Sequence, residues 1–420
     1  MSAKRGEPSA EPSDARRKKR AQANSKTQPV KTAPFQTGLD RVLAEPSLPL
    51  RGRKFGLVLN QASVAADGQY SCDALSARLP GRLLALFSPQ HGLWGEEQAN
   101  MIETGHALYS PLELPIYSLY SETRQPTEDM LSDIDVLVVD LQDVGTRVYT
   151  FVWTLVKCME ACARSGKEIV VLDRPNPLGG LNCEGRLLDR NYRSFVGLAE
   201  IPMRHSLTIG ELAIWCAKAL SIDVELTVVP MQGWQRCHRF PNSGRHWMLP
   251  SPNMPTYRTA CVYPGGVLLE GTNLSEGRGT TIPFEVVAAP FIDEVRLART
   301  LNQRNLPGVR FRATRFRPTF DKWRGQSCRG VFIEVLDEEA FSSYRTTLHI
   351  LHSVHAMHAD HFQWLRPPYE YETVKPPIDI LSGSQELRLA IDADCDLEHL
   401  DGLADTDAQW WPSVESSLLY

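Results

Sequence analysis

The sequence predicts an α/β protein: an open, mostly parallel sheet followed by a smaller second domain of mixed α and β structure. Four short, uninterrupted runs rich in Val, Leu and Ile recur between residues 54 and 172, and they alternate with stretches of helix length. Each run also ends in a polar tip, most of them bounded by Gly or Pro. Continuous apolar runs suit strands buried on both faces. Their alternation with helices argues for crossover connections within one sheet.

The runs are Lys54–Leu59, Leu83–Phe87, Val136–Val139 and Glu168–Leu172. Between the last two, Arg147–Ser165 has the length of a helix and Gly166 is its stop signal. Thr208-Ile-Gly-Glu211 has capping-box spacing, which starts a helix that runs to about Leu220. The run Ile222–Val229 then changes character and Pro230 closes it, so a domain boundary is expected near 222. The expected organisation is a disordered basic tail (1–37), a sheet domain (38–222) and a second domain (223–420).

The tail carries nine Lys or Arg against three acids within residues 1–35, in a chain whose overall charge is -5. It has almost no large apolar residues, so burial cannot offset the entropy of ordering it. Arg16–Arg20 suits either an anionic surface, nucleic acid included, or plain solubilisation, and nothing aromatic is interleaved to favour nucleic acid. No apolar stretch of signal-peptide length follows the basic residues, and no window is apolar enough to span a membrane. Nine cysteines without a CxxC spacing suggest reduced, buried thiols in a cytosolic protein. Cys158 and Cys162 lie one helical turn apart, a spacing that suits core packing better than a metal pair.

The four tips are Asn60-Gln61, Ser88–Gly92, Asp140–Asp143 and Asp173–Pro177. Ligands of such sheets bind just beyond the carboxyl ends of the strands. A second polar segment, Glu270–Thr281, holds two carboxylates, an Arg and three Gly between apolar flanks. It reads as an exposed functional loop on a rigid frame. Nucleotide-binding glycine motifs, HExxH, zinc spacings and a GxSxG elbow are all missing. What remains is a set of loop carboxylates, the equipment of glycoside hydrolysis. Trp94, Tyr117, Tyr120 and Tyr149 could stack on a sugar or simply pack.

Seven motifs in order are more specific than any one of them: Gly56–Gln61, Leu86–Gly92, Leu114–Tyr120, Asp140–Gly145, Val171–Gly180, Ser251–Thr256 and Glu270–Thr281. Together they resemble the NamZ-like exo-β-N-acetylmuramidases, over the chain from about residue 38 onward. The resemblance implies a Rossmann-like first domain, a smaller second domain, and an active site in the cleft between them. It implies removal of terminal N-acetylmuramic acid from peptidoglycan fragments (a disaccharide or muropeptide), with no metal or organic cofactor and no nucleic acid partner. It assigns acid or base catalysis to Glu97, with Glu276 or Glu270 as second carboxylate. Substrate contacts fall to Gln90, His91, Asp143, Asp173, Arg174, Asn176, Asn253, Asn273 and Arg278, and Arg278 or Arg174 is suited to the lactyl carboxylate. Two departures stand out: Gln90 replaces a Glu of many relatives, and Asn100 a Gly. The amide at 90 keeps open a non-catalytic sugar-binding protein on the same scaffold. A hydrolase of cell-wall amides or esters is a third class, disfavoured by the missing elbow.

Overall fold

The computed structural model describes residues 35–45, 49–99 and 101–420. The basic tail up to residue 34 and Asn100 lie outside the described residues. Residues 35–420 form one compact unit. Of the segment 1–37 expected to be disordered, Gln36 and Thr37 are ordered: Gln36 bridges to Gln232, and Thr37 caps the helix Gly38–Ala44.

Among the described residues ten strands make two sheets. In the first sheet β1 is Phe55–Leu59, β2 Leu83–Ser88, β3 Ala107–Tyr109, β4 Leu114–Ser118, β5 Val136–Asp140, β6 Glu168–Leu172 and β7 Leu226–Val229. Their order is β3-β4-β2-β1-β5-β6-β7, with only the short edge strand β3 antiparallel. All five positions of β1, β5 and β6 are buried, because helices cover both faces. The four apolar runs are thus the central strands. The boundary expected near 222 falls before β7, which pairs in register with β6, so the sheet continues past it. Composition hid this, since β7 is the half-buried edge of the sheet.

The expected helices form as Phe151–Ser165 and Ile209–Ala219. The first ends at Gly166 in the left-handed conformation. The second starts in a complete capping box of Thr208 and Glu211.

The second, smaller domain has an antiparallel sheet in the order β8-β10-β9, where β8 is Val286–Ala289, β9 Val309–Phe316 and β10 Cys328–Val335. Its helices Tyr257–Gly266 and Ser343–His358 cross closely, since a Cβ at Gly265 would collide with the carbonyl of Ser343. Ser343 Oγ accepts from Gly265 N (2.8 Å) and donates to the Val262 carbonyl (2.7 Å), locking the crossing. Among the described residues no helix is long and apolar enough to cross a membrane.

Candidate active site

The carboxyl ends of β2 and β5 reach the second domain at a small cavity of about 40 Å³. From the first domain it is lined by Gln90, His91, Tyr149 and Thr150; from the chain leading to the second domain by Ser251 and Asn253; and from the second domain by Tyr263, Glu270, Arg278, Tyr369 and Glu370. The helix Phe151–Ser165 begins here, so its positive N-terminal end faces the same space.

Glu270 and Glu370 are the two carboxylates of the cavity, and their surroundings differ. Glu270 is ion-paired to Arg278 at 2.6 Å and accepts from the Tyr369 hydroxyl at 2.7 Å. Glu370 is nearly buried and accepts from the Tyr120 hydroxyl at 3.0 Å and from Gln90 Nε2 at 3.4 Å. Burial, reinforced by the charge of Glu270, holds the Glu370 carboxyl above the usual range; the hydrogen bonds from Tyr120 and Gln90 and the charge of Arg124 offset this only in part. Two carboxyl groups in unlike environments are the arrangement that separates a proton donor from a carboxylate. Glu370 and Tyr371 also sit at φ +43° and +68°, a conformation that costs non-glycine residues energy and that recurs at functional sites.

His91, itself at φ +73°, places Nδ1 2.7 Å from the carbonyl of Glu97. A carbonyl only accepts, so Nδ1 carries the proton and Nε2 keeps its lone pair. Burial, with a further push from Arg278, lowers this imidazole to about 4 despite the carbonyl, so it is neutral through the physiological range. Burial likewise pushes the phenols of Tyr149, Tyr263 and Tyr369 up, which leaves them neutral.

Of the residues expected at the site, Gln90, His91, Asn253, Glu270 and Arg278 meet in this cavity. Glu97 lines a neighbouring space of about 200 Å³ beyond His91, together with Trp94, Glu96 and Glu103. Its carbonyl orients His91, and Asn253 Nδ2 donates to the Gln98 carbonyl at 2.6 Å to hold that loop. The remaining expected residues are spent on the scaffold. Arg174 donates to both oxygens of Asp140 (2.6 and 2.8 Å). Asp173 accepts from Thr208, Gly210 and Tyr420 around the start of the helix Ile209–Ala219. Asn176 ties its own turn to the Leu207 carbonyl and packs against Gly145, where a Cβ would strike it. Asp143 accepts from Gly145 N and lies 3.3 Å from His205 Nε2. Asn273 bridges to His361 and Gln363.

The segment Glu270–Thr281 corrects the expectation of an exposed loop, for most of it is buried. Its polar groups satisfy one another: Glu276 pairs with Lys322 at 2.8 Å and Arg278 at 3.1 Å, and Ser275 bridges to Ala288. Burial alone would raise the Glu276 carboxyl, but Lys322 and Arg278 outweigh it and hold the group low. Arg278 is ion-paired to Glu270 and Glu276, and Arg174 to Asp140, so both guanidinium groups proposed for a lactyl carboxylate already face acids.

Tyr369 and Glu370 escaped the sequence reading. They lie in Pro367-Pro-Tyr-Glu-Tyr-Glu372. Alternating aromatic and acidic residues directly after two prolines were the available signal. Glu370 also floors an open groove of about 690 Å³, on whose walls stand Arg124, Lys157, Arg193, Phe195 and Tyr371. Among the described residues no cluster of three or more His, Cys, Asp or Glu is placed to hold a metal ion.

Residues 55–258 match the family described as exo-β-N-acetylmuramidase NamZ, N-terminal, and residues 261–420 its C-terminal counterpart. The chain is 45% identical over 345 residues to the peptidoglycan β-N-acetylmuramidase NamZ of Bacillus subtilis strain 168, covering 82% of this chain and 83% of that protein. Its fold is similar to the crystal structure of a DUF1343 family protein from Bacteroides fragilis, with a TM-score of 0.83 and 32% identity over 92% of this chain and 99% of that one. A second DUF1343 protein of that organism, at TM-score 0.70 and 24% identity over the same shares of each chain, is similar in fold alone. Both halves match in order and together span the chain from β1 to its last residue; the chain belongs to the NamZ family of exo-β-N-acetylmuramidases.

Proposed function

We propose that the cavity between Glu270 and Glu370 is where this chain, a glycoside hydrolase of the exo-β-N-acetylmuramidase type, cleaves the bond to a terminal N-acetylmuramic acid of a peptidoglycan fragment. The observation that carries the site is the pair of unlike carboxylates across one cavity, one ion-paired and one held toward its protonated form. Glu370 supplies the proton to the departing oxygen. Glu270, fixed by Arg278 and Tyr369, supplies the negative charge facing the developing oxocarbenium ion. The neutral His91 offers Nε2 as an acceptor for a sugar hydroxyl or the attacking water. About 40 Å³ holds a few waters rather than a substituted sugar, so substrate entry requires the Tyr369–Glu372 segment to move. The open groove beyond Glu370, within the usual range of ligand pockets of roughly 300–1,000 Å³, takes the rest of the fragment.

The test is turnover of a chromogenic β-muramide by Glu370→Gln and Glu270→Gln. General acid–base help is worth about 10²–10⁴-fold, so each should fall at least about a hundredfold; Glu370→Gln should keep its thermal midpoint, whereas Glu270→Gln, which breaks the buried pair with Arg278, should also lower it. Near wild-type turnover in Glu370→Gln would remove it as donor and return the role to Glu97. Recognition of the lactyl group should favour the muramide over a β-glucosaminide by about tenfold or more.

All nine cysteines are free, and most are buried. That supports a reducing compartment and a role in recycling imported muropeptides in the cytoplasm, which fractionation of the native host would test.

A further inference from the structure

Gln90 follows β2 by two residues, is 5% exposed, and is clamped on both sides. Its Oε1 accepts from the Thr150 hydroxyl at 2.8 Å, which fixes the amide's orientation, and Nε2 points to Glu370 Oε1 at 3.4 Å. Thr150 makes no side-chain cap for its own helix, so its hydroxyl is committed to Gln90. Glu370 meets Tyr120 and Arg124 from the chain after β4, and Glu270, Tyr263 and Tyr369 from the second domain. The amide is therefore the donor that fixes Oε1, as Tyr120 fixes Oε2.

We infer that Gln90 is a positioning residue for the glycosidase reaction: its carboxamide aims Glu370 and keeps the proton donor a single carboxylic acid rather than half of a carboxyl pair. This rests on the reading of Glu370 as the donor. An N–H directed at a carboxylate favours its ionised form. A carboxyl in the same place acts in the opposite sense, because two carboxyl groups this close cannot both ionise and instead share a proton. They then titrate as a pair with apparent values belonging to neither residue. A general acid works only while protonated, so the alkaline limb of the rate profile follows its proton affinity. The amide at 90 thus sets the upper end of the working pH range.

The experiment is the pH profile of kcat and kcat/KM on a chromogenic β-muramide for the wild type, Gln90→Glu, Gln90→Met and Glu370→Gln. Gln90→Glu should move the alkaline limb up by about one pH unit or more. Gln90→Met, which only deletes the donor, should move it up by less and lower kcat by about tenfold, with KM within about twofold. A limb unmoved in both Gln90 variants, with loss of turnover or thermal midpoint alone, overturns the inference and leaves Gln90 as packing. Wild-type activity in Glu370→Gln instead overturns the donor reading itself, whatever the Gln90 variants do.

Discussion

Two polar clusters stand at the carboxyl edge of the seven-stranded sheet, and they differ in where their hydrogen-bonding capacity goes. At the ends of β5 and β6, Asp140, Arg174, Asp173 and Asn176 are nearly or fully buried and bond to one another and to backbone. At the cavity, Gln90, His91, Glu270 and Glu370 are equally polar, yet two of them come from a second domain and His91 keeps an unprotonated nitrogen. The first cluster fixes how strand tips and helix starts fit together. The second is bonded just as fully, but its groups line a cavity to which two domains contribute. Polarity at a strand tip is therefore a poor discriminator, and facing a cavity is a better one.

The sharpest way to break that contrast is Asp140→Asn. It strips one partner from a buried bidentate pair, a loss of about 3–5 kcal/mol, read as a thermal midpoint lower by several degrees. Turnover per folded molecule should stay within a few fold. Collapse of turnover at an unchanged midpoint would move this cluster into the site. On the cavity side, Tyr369→Phe removes one donor to Glu270. It should cost about tenfold or more in kcat, the worth of a hydrogen bond to a charged group, with little change in midpoint; the reverse pattern would make Tyr369 scaffold. The smallest effects belong to the loop next door. Glu97 orients His91 through its carbonyl, which Glu97→Gln leaves intact. That variant should lose less than about tenfold, below the range for a general acid, and the exposed Glu96→Gln should be silent. A hundredfold loss in Glu97→Gln would place the chemistry on the His91–Glu97 side.

Much was legible locally. The central strands are runs of apolar residues because both faces are covered, and β1, β2, β5 and β6 lie within a residue of where that argument puts them. Gly166 and the Thr208/Glu211 box mark helix ends by backbone chemistry that acts within a few positions. The outer strands β3, β4 and β7 were not legible, since half-exposed strands share their composition with loops.

The sequence by itself determined the layered sheet, the helix ends and, through seven ordered motifs, the family, because each depends on residues close together along the chain. Only the tertiary structure decided which polar residues are free to act. Arg174 looks available until Asp140, 34 positions earlier, accepts from two of its three nitrogens. Glu276 looks catalytic until Lys322 neutralises it 46 positions on. Glu370, the proposed proton donor, is buried against Gln90, 280 positions away, and Tyr120, 250 away. Charge, partner and solvent at a carboxyl group are set by what folds against it, and that information is spread over the whole chain.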